Sequence, residues 1–319
     1  MTSTIRPLYF DCDTGIDDSM ALVYLAKAPE ISLVGVGTVS GNTNCEQAAE
    51  NTLSILEAMG RTDVPVAVGS HDFLTSKYTW VPTHIHGDNG IGNVELPTAQ
   101  RRPEAESASD MLLRLSHEYA GELEVVAVGP STNLALALQK DPELATRVKR
   151  VVLMGGAARE VGNASVVAEA NVFNDPEAAQ TVMAAPWEQV WVPLDVTLAN
   201  ILEEEHRARL LASPKREAQI VGEALDVYFN FYLPEYGRRC SALHDPLAAA
   251  VAVGAIKPTI WPVVEAEVDI TDGPGRGQSL FDLRLKPRNG WQDTPGGHIR
   301  VVLEVEKSFP DHLTERLSA

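Results

Sequence analysis

A chain of 319 residues, 45% hydrophobic and 22% charged, has an ordinary globular composition and is long enough to bury a large core without disulfide or metal staples. Its 26 basic residues face 44 acidic ones, and a net charge of −18 argues against a nucleic-acid partner, whose phosphates it would repel. The three cysteines, Cys12, Cys45 and Cys240, are widely spaced and form no CxxC or Cys/His zinc pattern, so a reduced setting is expected. The amino-terminal MTSTIRPLYFDCD has no run long enough for a leader core, and PLAAAVAVGAI at 246–256 is too short to span a bilayer; a cytoplasmic protein with no membrane partner is expected.

Along the chain, short apolar runs alternate with helix-length segments. A strand ends at 8–10 and a helical pattern follows at 19–28. A second strand at 33–36 precedes a helix at 45–59 with apolar positions three and four apart. Valine-rich runs at 64–68, 123–128, 148–154 and 190–192 are separated by helical patterns at 108–119, 132–139 and 176–185. Near-continuous apolar strands between helices predict an α/β fold with an open, mostly parallel central sheet covered on both faces. Segments 69–102 and 155–174 read as long loops, a length usually tied to function. After Pro258 the texture changes: 263–270, 278–284 and 298–305 look like strands joined by Gly/Pro turns, predicting a small carboxy-terminal hairpin and helical decoration. With no repeat and no low-complexity linker, one domain over 1–319 is expected.

The first strand runs into FDCDTGIDD, which places Asp11, Asp13, Asp17 and Asp18 within eight positions. Ligands of open α/β sheets bind beyond the carboxyl ends of strands, where this segment begins. Acidic residues in a first helical turn favour the helix dipole, so capping accounts for Asp17 and Asp18. It does not account for Asp11 and Asp13. Converging carboxylates stay ionised only with a compensating cation, and oxygen ligands without Cys or His select Ca²⁺ or Mg²⁺. An EF-hand loop is excluded, because counting from Asp11 puts Gly15 at position 5 and Leu22 at position 12.

DCDTGIDD resembles the opening motif DxDxGxDD of the nucleoside hydrolase family, with Thr14 where many members carry Pro. The resemblance continues in order through VSGNTN at 39–44, IHGDNGIGN at 85–93, VGPSTNLALAL at 128–138, VVLMGG at 151–156, GNASVVAEANVFNDPEAA at 162–179 and LHDPLAA at 243–249. It implies a Rossmann-like nucleoside hydrolase fold, one Ca²⁺, and hydrolysis of the N-glycosidic bond of uridine- or inosine-type ribonucleosides through an oxocarbenium-like transition state. By that resemblance Asp13, Asp18, the Val128 carbonyl and Asp245 hold the ion, Asp13 is also the general base, and Asp11 supports the site from behind. Asp17, Asn42, Met154, Asn163, Glu169 and Asn171 would surround the ribose, and Glu169 and Asn171 would face the same way if their segment is extended. His86, on the first long loop, would approach the substrate, whereas Trp80 and His84 read as surface residues. His244 is the candidate acid for the leaving base, shared with Tyr228, Tyr232 and Tyr236, which line one face if helical. The resemblance also implies a homodimer or homotetramer.

Blander readings exist for several of these residues: GN at 41–42 and 162–163 is a common turn dipeptide, Met154 suits a core, and the tyrosine stripe suits packing. Two rival functions remain: a haloacid-dehalogenase-type Mg²⁺ phosphatase with Asp11 as nucleophile, and a non-catalytic calcium and ribose sensor.

Overall fold

Valine-rich runs must be buried on both faces, and they meet that requirement as strands of one sheet. The structure, a computed structural model, describes residues 5–284, 290–306 and 309–319. Residues 1–4, part of the stretch read as lacking a leader, lie outside the described residues. The first half contains β1 (Arg6–Cys12), α1 (Ile16–Ala26), β2 (Ile31–Thr38), α2 (Cys45–Ala58), β3 (Val66–Val68), α3 (Thr83–His86), α4 (Ala108–Glu118), β4 (Glu124–Ala127), α5 (Thr132–Lys140), α6 (Leu144–Arg147) and β5 (Arg150–Met154). There follow α7 (Ala170–Asn174), α8 (Pro176–Ala184), β6 (Gln189–Val192), α9 (Leu194–Thr197), β7 (Ile201–Glu203), α10 (Glu204–Leu211), α11 (Arg216–Tyr236), β8 (Cys240–Ala242) and α12 (Asp245–Val253). The chain closes with β9 (Pro258–Ile260), β10 (Val263–Val264), β11 (Ala266–Val268), β12 (Ser279–Phe281), β13 (Ile299–Val301), β14 (Glu304–Val305) and α13 (Pro310–Ser318).

The main sheet has the order β10-β13-β6-β5-β4-β1-β2-β3 and is parallel except at the β10–β13 edge. Alternate residues of each central strand enter separate cores. Leu8, Phe10, Val126, Val152 and Val190 face the layer holding α1, α11 and α12, whereas Tyr9, Val125, Val151 and Trp191 face the layer holding α4, α5 and α8. The strand order reverses between β1 and β4, so the crevice for a ligand opens beyond the carboxyl ends of those two strands. Among the described residues no helix is long and apolar enough to cross a membrane. The apolar run from Pro246 is the buried helix α12, closed by Gly254 at φ 80°.

Two expectations need correction. The helical pattern read at 19–28 is the helix Ile16–Ala26, whose earlier start is what lets Asp17 and Asp18 occupy the first turn as expected. The carboxy-terminal strands are more than a decoration. β11 and β12 do pair as an antiparallel hairpin, but β13 inserts beside β6, with Ile299 opposite Gln189, and completes the main sheet. Alternating apolar residues signal a strand, but they carry no information about its distant partner.

At the opposite end of the sheet Glu124 is buried among cations. Its Oε2 meets Arg6 Nη1 at 2.6 Å and Arg150 Nη2 at 3.0 Å, and its Oε1 meets Lys149 Nζ at 3.4 Å. The same arginines donate to the last carbonyls of α12, at Ala252 and Val253. Burial alone would raise the Glu124 pKa, but Arg150 and Arg6 outweigh it and hold the carboxyl below its ordinary range. Glu124→Gln should therefore cost about 2 kcal/mol in urea unfolding at neutral pH, less than the about 3–5 kcal/mol of a fully buried pair because both arginines are partly exposed. A depressed native pKa stabilises above the unfolded value and is lost in acid, so the gap between wild type and variant should close as pH falls below about 4.

Candidate active site

Strand β1 stops at Cys12, and the next three residues turn the chain into α1. Asp18 locks this turn from inside. Its Oδ1 accepts the Asp13 N–H at 3.0 Å, and its Oδ2 accepts the Gly15 N–H at 2.8 Å and Asn42 Nδ2 at 2.9 Å. The Asn42 N–H donates in turn to Asp13 Oδ2 at 2.7 Å. Crowding explains two glycines. A Cβ at Gly15 would stand 2.6 Å from both His86 Nδ1 and Asn42 Nδ2, and one at Gly41 would overlap the Asp13 carboxylate.

A second helix brings the remaining carboxylate. α12 starts at Asp245, and carboxylate oxygens of Asp17, Asp18 and Asp245 lie within 4.8 Å of one another. All three are buried, as is Asp13. Burial and the charge of Asp18 push Asp17 up to about 7. Burial, then the charges of Asp17, Asp18 and Asp13, raises Asp245 well above the carboxylate range, and burial, then Asp18, does the same to Asp13. The two helix N-termini offset part of this repulsion. Asp13 Oδ1 and Asp17 Oδ1 are buried with no hydrogen-bond partner among the described residues. Oxygen donors with unspent lone pairs and mutual repulsion are the surroundings a hard divalent cation requires, so the residues present fit one.

The other expected groups divide into those that converge and those that do not. The Val128 carbonyl lies just beyond β4, its N–H held by the Asp11 carbonyl at 2.9 Å. Asn171 Nδ2 donates to that Val128 carbonyl at 2.7 Å and to the Met154 carbonyl at 3.2 Å. Met154 is buried in the core at the end of β5, with Sδ 3.5 Å from the same nitrogen. The expectation of an extended 169–171 segment is wrong, because Glu169 is the N-cap of α7. Its Oε1 accepts the Asn171 N–H, and its Oε2 accepts those of Gly156 and Val172. Asn163 is exposed and uses Oδ1 to accept the Ala170 N–H at 2.9 Å.

Asp11 points away from the cluster, into the opposite layer. It accepts from the Tyr9 hydroxyl at 2.8 Å and from Asn133 Nδ2 at 3.1 and 3.3 Å, and burial pushes it up to about 7. A carboxylate so enclosed cannot attack a phosphoryl group, which removes the phosphatase alternative.

The outer end of the site is aromatic. α11 runs through Tyr236, and Tyr228 and Tyr232 are buried with rings 5.1 Å apart. The Tyr228 hydroxyl donates to Asp17 Oδ2 at 3.1 Å. His86 is buried beside Tyr228, its Nδ1 accepting the Ile16 N–H at 3.1 Å, whereas Trp80 and His84 are exposed. His244 is held at both nitrogens, by Thr197 Oγ1 at 2.8 Å and the Tyr232 hydroxyl at 2.8 Å. Burial pushes it down to about 4. Sequence reasoning missed Thr197 and also Tyr78, whose hydroxyl donates to the Gly41 carbonyl at 3.3 Å. The only local signal for Thr197 was its place just past the carboxyl end of β6.

Comparison with known proteins bears on the family and the fold. Residues 8–309 match the family model described as inosine-uridine preferring nucleoside hydrolase. The chain is 36% identical over 318 residues to the probable uridine nucleosidase 2 of Arabidopsis thaliana, covering 97% of this chain and 98% of that protein. It is 32% identical to the pyrimidine-specific ribonucleoside hydrolase RihA of Citrobacter koseri, covering 98% of each. A purine-preferring ribonucleoside hydrolase from Gardnerella vaginalis superimposes with a TM-score of 0.89 at 32% identity, covering 98% of each chain.

The orphaned carboxylate oxygens generate a direct test. Ca²⁺ added to metal-free protein should raise the melting temperature, by about 3 kcal/mol of stability at a hundredfold excess over Kd, and Asp18→Asn should abolish the shift in a thermal melt.

Proposed function

The chain belongs to the inosine-uridine preferring nucleoside hydrolase family and is an N-glycosyl hydrolase of ribonucleosides; from that premise we propose that it is Ca²⁺-dependent, with Asp13 as its general base and uridine or inosine among its substrates. The observation that carries the proposal is the buried carboxylate cluster with its two unpartnered oxygens. Asp13, Asp18, Asp245 and the Val128 carbonyl would hold the ion, with Asp17 beside them. When bound, Ca²⁺ supplies a positive charge that orients a water and the sugar hydroxyls and lowers the pKa of that water.

The protein's own groups perform the rest. Asp13 is fixed through one oxygen by the Asn42 N–H, which leaves Oδ1 to take a proton from the attacking water. Asp17, steadied by Tyr228, would accept from a ribose hydroxyl. Asn42, Asn163, Glu169 and Asn171 would line the sugar with Met154 beneath it, placing polar groups where positive charge grows on the ring. At the far end Tyr232 and His244 act as a unit. The imidazole, held by Thr197, orients the Tyr232 hydroxyl towards the departing base, and His86 and Tyr228 flank it. The role of His244 is thus to act through Tyr232 at least as much as directly. A cytoplasmic location is proposed from the three free cysteines, and a homodimer or homotetramer from the resemblance to the family.

Release of reducing sugar from uridine, inosine, adenosine and cytidine, measured before and after chelation and Ca²⁺ restoration, tests the reading. Release is expected only with Ca²⁺ and strongest from uridine or inosine; undiminished release after chelation would overturn the calcium assignment. Tyr232→Phe and His244→Ala should each lower kcat on uridine by about 10²-fold, and the double variant should be little worse than either. Neither should slow 4-nitrophenyl riboside, whose leaving group needs no proton.

A further inference from the structure

Away from the aspartate cluster, one other set of ligand-type side chains among the described residues converges from two segments. Cys45 and Glu46 open α2, and His71 follows β3 at the start of the 69–102 loop. His71 Nδ1 lies 3.4 Å from Glu46 Oε2, and Cys45 Sγ lies 3.2 Å from that same oxygen. One ligand atom from each residue falls within 4.8 Å of the others. Zinc bonds of about 2.0–2.3 Å at tetrahedral angles place neighbouring ligand atoms about 3.3–3.6 Å apart. The two measured separations already lie close to that range without a rotamer change.

The donor types differ from those of the catalytic crevice. A thiol, an imidazole and a carboxylate form a mixed set that suits a thiophilic, borderline-soft ion, whereas the aspartates offer oxygen alone. His71 and Glu46 have side chains 52% and 65% exposed, which gives an ion a route to the buried Cys45 beneath them. Burial, followed by the Glu46 carboxylate, pushes the Cys45 thiol up to about 12. Without a cation the thiol is therefore inert, and with one it would ionise.

We propose that Cys45, Glu46 and His71 form a second metal site, for a thiophilic divalent ion of the zinc class, with the fourth position open to water. The site would tie the start of the long loop to α2. The His71 ring packs edge-on against Tyr78 at 5.6 Å, and Tyr78 reaches the Gly41 carbonyl, one residue before the Asn42 N–H that holds Asp13. A bound ion thus braces the loop beside the catalytic turn while touching none of the catalytic carboxylates.

Co²⁺ is the probe, added to the intact protein in saturating Ca²⁺. One equivalent should give a thiolate-to-cobalt charge-transfer band that Zn²⁺ abolishes by displacement. Cys45→Ser should lose the band, and His71→Ala should weaken Co²⁺ binding by more than about tenfold, at least what loss of an outer-shell partner costs. His71 is exposed, so its variant folds even if Cys45→Ser does not, and its hydrolysis of uridine without zinc should match wild type. Absence of the band in wild type would overturn the proposal. So would its survival in Cys45→Ser, which would place the ion on another cysteine, or undiminished Co²⁺ affinity in His71→Ala.

Discussion

Four carboxylates buried at the inner end of one crevice repel one another, and the rest of the site is arranged around that repulsion. Asp17 and Asp18 stand at the N-terminus of α1 and Asp245 at that of α12, so two helix dipoles point their positive ends at the cluster. Backbone N–H groups of Asp13, Gly15 and Asn42 add donors at short range. These partial charges hold the carboxylates in place without neutralising them, and two oxygens remain unsatisfied. The proposed calcium ion would supply the missing charge. In this reading the metal is as much a condition for the cluster to stay ionised as a participant in the chemistry.

The fold supplies the scaffold that makes such a cluster affordable. β1 and β4 diverge in their connections at the switch point, so Asp13 and Val128 leave neighbouring strands within one residue of the same level. α12 is rich in alanine and lies close against α1 and the sheet, which brings Asp245 opposite Asp17 and Asp18. The other end of the same helix is satisfied by Arg6 and Arg150, themselves paired with Glu124. Opposite charges at its two ends therefore fix α12 along its axis, and with it the position of Asp245.

The legible parts of this molecule were those encoded in consecutive residues. Valine runs gave the parallel strands to within about two residues, and FDCDTGIDD gave carboxylates that the structure buries together with Asp245. What stayed hidden depended on partners distant in sequence. β13 reads as one more short strand, and only pairing with β6 makes it part of the main sheet. Glu169 reads as a ribose ligand, and its second task, capping α7 by accepting three backbone N–H groups, was not legible because that helix is only five residues long. Thr197 carried almost no local signal, since a lone threonine gains meaning only when His244 arrives beside it.

The two ends of the crevice are built on different materials, and this bears on why relatives so alike differ in base preference. In the proposed reading, the end that takes ribose is set by strand termini, helix N-termini and backbone donors, where a displacement of a fraction of an ångström would break several bonds at once. The base end rests on α11, interrupted by Pro234 in its last turn, and on a long loop whose Trp80 is 61% exposed. Side chains there meet through ring contacts, such as His84 with Phe231, which tolerate exchange better than a hydrogen-bonded turn. Named relatives that favour pyrimidines and others that favour purines share this fold at similar identity. The physical expectation is that ribose recognition and the cation are held constant by the rigid half, while specificity drifts along the helix and loop. Tyr232 stands on that boundary: its backbone belongs to the variable helix, but its hydroxyl is tied through His244 to Thr197, just past the end of β6. Any change of base preference in this scaffold must therefore be made around the Tyr232–His244 pair rather than through it.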